Sequence, residues 1–348
     1  MKSIKTSFVA GLAGALVLAA GTLVPGKDAL AWEPERPIEF VIQTSPGGGS
    51  DIYTRLWTGI IEKYNLSPVP FTPVNMPGGA GAVALTYLYS QKGSAYAITP
   101  TLNSIVTTPL QQKIPVMYPS QDLTPVALMT TDPFLLWVNP SKFKSWAELQ
   151  KACKAGRLTT TGTGARQEDE IQIGLLQEAA GCQPFRYVPQ SGGGKVAAAV
   201  AGGHADFNVN QPAEAMPHFP GKLIPIVTFA KQRHRTFQDS PTHWELKIGT
   251  ENNNEYANLL DLETGLHQMR GLIGPPGMPE EAKAWYNNLF RKVFEAKEWQ
   301  DFMEKNGMVP IFKGPDEYKS WLVTFENNHV RMMSDVFKWQ LRDDLKKR

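Results

Sequence analysis

From Trp32 onward, short apolar runs alternate with stretches in which apolar residues recur every three or four positions. The runs read as strands and the stretches as helices. This spacing predicts strands at 38–42, 70–75, 97–99, 134–138, 158–161, 185–188, 207–209, 224–229 and 271–274. It predicts helices at 52–64, 80–90, 146–155, 168–180, 195–201, 279–305 and 315–337. Such alternation is the signature of an α/β protein with largely parallel sheets. Gly181 and Gly307 stand where helix C-caps are expected. Trp285, Leu289, Val293 and Phe302 in the penultimate helix, and Tyr318, Leu322 and Phe325 in the last, read as core-packing faces. Residues 251–260, with three consecutive asparagines, read as a surface insertion, and 338–348 as a charged, fraying tail.

The apolar run at 38–42 leads into Ser45-Pro46-Gly47-Gly48-Gly49-Ser50-Asp51 and then a helical pattern. Three glycines allow close backbone approach to a ligand, and the helix start adds a partial positive charge. A carboxylate or phosphate suits such a turn. The plainer alternative is a tight turn with Ser50 or Asp51 as helix cap. Glycine turns recur at 78–81, 161–164 and 191–194. In an open parallel sheet, turns that follow strand C-termini share one edge, where ligands bind. Several helix starts converging there would form an anion site.

Charge and cysteine content place the chain without naming its ligand. Lys2, Lys5, the apolar stretch 8–24 and Ala29-Leu30-Ala31 read as a secretory signal cleaved before Trp32. The alternative is a retained membrane anchor. Cleavage would remove Lys2, Lys5, Lys27 and Asp28 and leave equal numbers of basic and acidic residues. That balance gives no global attraction to nucleic acid or anionic lipid. The expected compartment is the periplasm. The two cysteines, Cys153 and Cys182, are expected to pair there, with two inert buried thiols as the alternative.

Catalytic signatures are missing. Lys195 follows three glycines but precedes Val196, so no phosphate loop forms. There is no Gly-x-Ser-x-Gly elbow. The six histidines show no zinc spacing. His234 reads as part of a solvated basic loop. Glu168-Asp169-Glu170 reads as a helix opening that complements the dipole. No metal or cofactor is expected, and an enzyme is disfavoured.

Eight motifs stand in order along the chain. They are Arg36-Pro37-Ile38 with Gly47-Gly48-Gly49-Ser50-Asp51, Val74-Asn75-Met76-Pro77-Gly78-Gly79-Ala80-Gly81, and Leu123-Thr124-Pro125-Val126-Ala127. Val138-Asn139-Pro140-Ser141, Thr161-Gly162-Thr163-Gly164, Gly192-Gly193-Gly194 and Gly202-Gly203-His204-Ala205-Asp206 follow. Gly271-Leu272-Ile273-Gly274-Pro275-Pro276-Gly277-Met278-Pro279 closes the set. In order and spacing these motifs resemble the extracytoplasmic solute receptors of the tripartite tricarboxylate transporters, the Bug or TctC-like family.

The resemblance implies an α/β, two-lobed periplasmic-binding-protein type II fold with a ligand cleft between lobes. Residues 32–133 and 251–348 are expected to form one lobe, and 134–250 the other. The ligand would be a small organic carboxylate, handed to membrane permease subunits by a monomeric receptor. The rival outputs are signalling through a partner protein and, more remotely, catalysis on the same fold. Ser45, Gly47, Gly48, Gly49 and Ser50 are the expected contacts at one end. Thr161, Gly162, Thr163 and Ala165 are expected to face them. Gln190, Ser191, Gly192 and Asn210 are expected on the wall. Arg166 and Arg270, if inward, would each pair with a carboxylate; otherwise both lie at the surface. Asp51 reads as a turn brace. The chain departs from the family's common pattern at Ala165-Arg166-Gln167-Glu168-Asp169, Gln190-Ser191, Asn210 and Gln268-Met269-Arg270, which bears on the ligand rather than the fold.

Overall fold

The computed structural model describes residues 32–261 and 268–345. The expected signal segment, 1–31, lies outside the described residues. One sheet comprises β1 (Ile38–Ile42), β2 (Phe71–Asn75), β3 (Ala97–Pro100), β4 (Thr124–Asp132) and β10 (Gln268–Gly274). Their order is β2-β1-β3-β10-β4. The other comprises β5 (Leu135–Val138), β6 (Thr159–Thr163), β7 (Arg186–Gln190), β8 (Phe207–Asn210) and β9 (Ile224–Thr228), in the order β7-β6-β8-β5-β9.

Helices α1 (Gly49–Lys63), α2 (Ala82–Ser90), α3 (Ser104–Gln111) and α4 (Pro119–Asp122) accompany the first sheet. Next come α5 (Trp146–Ala155), α6 (Glu168–Ala180), α7 (Gly193–Ala201) and α8 (Pro212–Ala215). The chain then forms α9 (Glu251–Leu260), α10 (Glu280–Glu295), α11 (Lys297–Lys305) and α12 (Pro315–Arg331).

Both sheets are mixed rather than largely parallel. β1 runs parallel to β2 and β3, and β6 to β7 and β8. β10 is antiparallel to β3 and β4, and β5 to β8 and β9. A parallel neighbour requires a long crossover. Only Pro133 and Phe134 separate β4 from β5, so the chain passes directly from one sheet into the other.

The pattern missed β4 and α3. β4 contains Pro125 and ends in Thr130, Thr131 and Asp132, which look exposed but are buried. α3 carries an internal Pro109 and a threonine pair. The helix expected at 279–305 breaks at Ala296, whose ψ of 137° is extended, into α10 and α11.

Two surface expectations fail and a third holds in part. Residues 251–255 are exposed as expected, but 251–260 form α9, interrupted where Asn252, Asn253 and Asn254 take positive φ, with Ala257 and Leu260 buried. In the tail, Arg342 donates to the carbonyls of Pro109, Ile114 and Val116 at 3.1–3.3 Å, so its described part is docked. His234 is buried, with Nε2 2.7 Å from the Asn306 carbonyl. Beside it Gly307 has a φ of +59°, and a side chain there would overlap the imidazole.

The core of the first sheet is aromatic. Phe40 stacks on Trp57, with Phe290 and Trp299 edge-on to the indole. This packing fixes α1 and, with it, the glycine turn that precedes it. Cys153 in α5 and Cys182 beyond α6 form a disulfide that spans the β6 unit.

Candidate functional site

The turn after β1 and the turn after β7 meet backbone to backbone. A Cβ built on Gly194 would lie 2.8 Å from the Gly47 carbonyl oxygen, and one on Gly192 3.8 Å from Gly48 Cα. Ser45 and Ser191 place their hydroxyls 3.4 Å apart. These glycines therefore allow turns from different sheets to touch.

Three of the amides expected to receive a ligand, those of Gly47, Gly49 and Thr163, already hold protein carboxylates. The Gly49 N–H donates to Glu214 of α8. The Gly47 N–H donates to Asp51 at 3.0 Å, and Asp51 also pairs with Arg55 and Asn75, as a turn brace does. The Thr163 N–H donates to Asp169 at 2.7 Å, and the Arg166 N–H to Glu170. The acidic first turns of α1 and α6 thus satisfy amides at and before their own starts, whereas Gly49 relies on α8.

Behind these turns lies a buried charged cluster. Arg270, 3% exposed, pairs with Asp132 at 3.0 Å and stands 4.3 Å from the Tyr53 ring centre. The Tyr53 hydroxyl donates to the same carboxylate. Burial pushes Asp132 up, and Arg270 and Tyr53 offset this in part. Burial pushes Glu168 to about 7, Arg270 opposing and Glu214 reinforcing the shift. Burial and then Glu168 push Asp169 to about 8. Burial pushes Glu214 to about 7 against the pull of Arg270.

A cavity of about 240 Å³ opens between the two sheets' layers. Gln43, Thr44, Gly78, Gly79, Ala80, Gly81, Leu102 and Ser104 line it on the first-sheet side. Thr163, Gly164, Gln167, Glu168, Pro189, Gln190 and Ser191 line it on the other. A recess of about 20 Å³ shares Thr44, Leu102, Thr163 and Glu168 with it and reaches Ser50, Gln211, Glu214, Gln268 and Arg270. Buried polar atoms without partners gather on these walls: both side-chain polar atoms of Gln43, and one each of Thr44, Ser50, Glu168, Gln211 and Gln268. Most buried polar atoms in proteins are satisfied, so this concentration marks a place built for polar contact. A larger cavity of about 480 Å³, among Trp146, Phe219, Ile226 and Phe237, touches none of the glycine turns.

The expected contacts are thus distributed unevenly. Thr163, Gln190 and Ser191 line the cavity, and Gly49 and Ser50 line the recess. Ser45, Gly47, Gly48 and Gly192 belong to the turn-to-turn contact. Thr161 donates its hydroxyl to the Val188 carbonyl at 2.7 Å, within the sheet. Gly162 backs onto Asp169 and Tyr187. Ala165 and Arg166 are exposed, with the Arg166 guanidinium 5.8 Å from the Trp339 ring centre. Asn210 is buried and braces the turn, donating to the Gly193 carbonyl at 3.1 Å and accepting from the Gln211 N–H. Arg270, not Arg166, points inward.

Sequence reasoning missed Gln43, Thr44, Ser104, Glu168 and Glu214. The turn at 78–81 was visible as glycines but was not placed in the site. Glu168 and Asp169 were visible as a helix opening. Glu214 gave no local signal, because its partner Gly49 is 165 positions away.

Among the described residues no helix is long and apolar enough to cross a membrane, and no group of three His, Cys, Asp or Glu is arranged to hold a metal ion. Residues 70–333 match the family described as "Tripartite tricarboxylate transporter family receptor", TctC. Over 312 residues the chain is 25% identical to "UPF0065 protein in gbd 5'region" of Cupriavidus necator, covering 89% of this chain and 90% of that protein. The periplasmic binding protein BugD shares the fold with a TM-score of 0.77 at 18% identity, over 87% of this chain and 98% of that one. MatC from Rhodopseudomonas palustris, solved with bound malate, does so with a TM-score of 0.73 at 22% identity, over 87% and 99%. The fold is therefore that of two-lobed binding proteins, and with a family match over more than half its length the chain belongs to the TctC family of tripartite tricarboxylate transporter receptors.

Proposed function

We propose that this protein is a periplasmic receptor that captures a small organic carboxylate between its lobes and delivers it to the permease of a tripartite tricarboxylate-type transporter. The lobes are taken as 134–250 and the remainder from Trp32, and the receptor acts as a monomer without chemistry. The observation that carries this reading is the cavity lined from both sheets, with unpartnered buried polar atoms on its walls. MatC, with its bound malate, supports the ligand class.

The carboxylate sits at the starts of α2 and α3 in this account. Neither helix has a side-chain cap. The turn before α2 keeps Gly79, Ala80 and Gly81 at φ of +55°, +55° and +97°. Thr108 and Gln112 hold the carbonyls of Ala80 and Gly79, at 2.6 and 3.0 Å. Ser104 and Gln43 are adjacent polar partners, and Lys195 reaches Ser191 at the rim at 2.9 Å. In this account the start of α1 does not hold the carboxylate, because Glu214 occupies the Gly49 amide.

A thermal-shift screen against carboxylates, amino acids and sugars tests this reading. A ligand at a hundred times its Kd stabilises by about 2.7 kcal/mol. Stabilisation by one or more carboxylates is expected; stabilisation by sugars alone would overturn the proposal.

A further inference from the structure

The floor of the cleft narrows the ligand further, on the premise that the cleft is the solute site. Glu168 is 3% exposed and lines both the cavity and its recess. The Gln268 amide bonds to its carboxyl group, yet its Oε2 has no partner. Asp169 on the same helix start and Glu214 on α8 line the recess with it, and Asp132 on β4 pairs with Arg270 there. Among the described residues that line the two cavities, Arg270 is the single cation, and it is already paired with Asp132. Tyr53 and Tyr187 are held neutral by burial. Four carboxyl groups thus share one guanidinium in a buried space.

Further free acceptors point the same way. Gln268 Oε1 is buried without a partner on the recess wall, and the unpartnered hydroxyls of Thr44 and Ser50 lie there too. The starts of α2 and α3, which have no side-chain caps, line the same cavity, with Lys195 at the rim. The recess is thus richer in free acceptors than in free donors, the Gln211 Nε2 being an unpartnered donor on its wall. A second anionic group brought to the floor would find no unpaired cation and would oppose ionisation of these carboxyl groups, and a buried charge is tolerated only when paired. A cation brought there would meet Glu168.

We infer that the ligand is an amino carboxylate, whose cationic nitrogen pairs with Glu168 while its carboxylate rests at the starts of α2 and α3. A plain di- or tricarboxylate lacks the group this floor accepts. The elevated affinity of Glu168, Asp169 and Glu214 for protons supplies a second readout. A bound cation favours their ionised forms and releases protons, whereas a bound anion drives proton uptake.

The test is calorimetry on the signal-free full chain with matched pairs: aspartate and succinate, glutamate and glutarate, 4-aminobutyrate and butyrate, and the remaining standard amino acids with their des-amino acids. At least one amino member is expected to bind tenfold or more tightly than its plain partner. Its heat in buffers of different ionisation enthalpy is expected to report proton release, and Glu168→Gln to abolish the preference. A plain acid binding as tightly as its amino partner in every pair overturns the inference and leaves the receptor reading standing. Absence of binding by every acid, amino or plain, overturns both. The wild-type comparison decides even if the variant does not fold.

Discussion

The carboxylate of Glu214 accepts the amide N–H of Gly49 from the far side of the cleft. A residue of the second sheet's layer thereby fills the start of a first-sheet helix. Gly193 makes room for it, since a Cβ there would overlap the carboxylate.

This bridge has a measurable value. Glu214→Ala leaves a buried donor without a partner, a loss of about 1–3 kcal/mol. Glu214→Gln keeps an acceptor and removes a buried charge, so it is expected to cost less than the alanine variant. Urea unfolding at pH 7.5 measures both. An alanine variant as stable as the wild type would mean that the bridge contributes nothing.

The acidic floor makes stability depend on pH. Glu168, Asp169 and Glu214 have folded pKa values of about 7, 8 and 7, above the 4.5, 3.8 and 4.5 of the free groups. Between roughly pH 4 and 8 the folded state therefore holds more protons than the unfolded chain, and these groups lower stability as pH rises. His234 and His243 act in the opposite sense, because burial lowers their pKa. The difference between variant and wild type isolates the carboxyl effect. The Tm of Glu168→Gln relative to wild type is expected to rise from pH 5 to pH 8. A constant difference would show that Glu168 is ionised throughout.

The disulfide is expected to support the second sheet's layer. Cys153 and Cys182 are 29 positions apart and enclose β6 and α6. Closing a loop of that length removes chain entropy worth roughly 3–4 kcal/mol. Cys153→Ser with Cys182→Ser should lower unfolding stability by about that amount and make it insensitive to reductant. An unchanged denaturation midpoint would contradict this.

What the sequence disclosed follows from the range of the interactions concerned. The turns at 47–49, 78–81 and 192–194 were legible because a glycine run between strand and helix is a local signal. Their partners were not: Gly194 faces Gly47, and Gly49 faces Glu214, across chain separations that no periodicity reports. β4 escaped because its polar end is buried, Asp132 having Arg270 and Tyr53 as partners. Arg166 and Arg270 looked alike as isolated arginines. Arg270 lies on β10, between β3 and β4, whereas Arg166 lies on an exposed turn.

The central claim is that solute binds in the cavity between the sheets, and a rim block tests it most directly. Ser191 is exposed and lines the cavity, so Ser191→Trp fills the entrance without disturbing the core. The measurement is titration calorimetry of wild type and variant with the carboxylate that stabilises the protein most, alongside the Tm of each without ligand. The account predicts equal Tm values and at least a tenfold weaker affinity in the variant. Equal Tm values with wild-type affinity would place the solute elsewhere and contradict it.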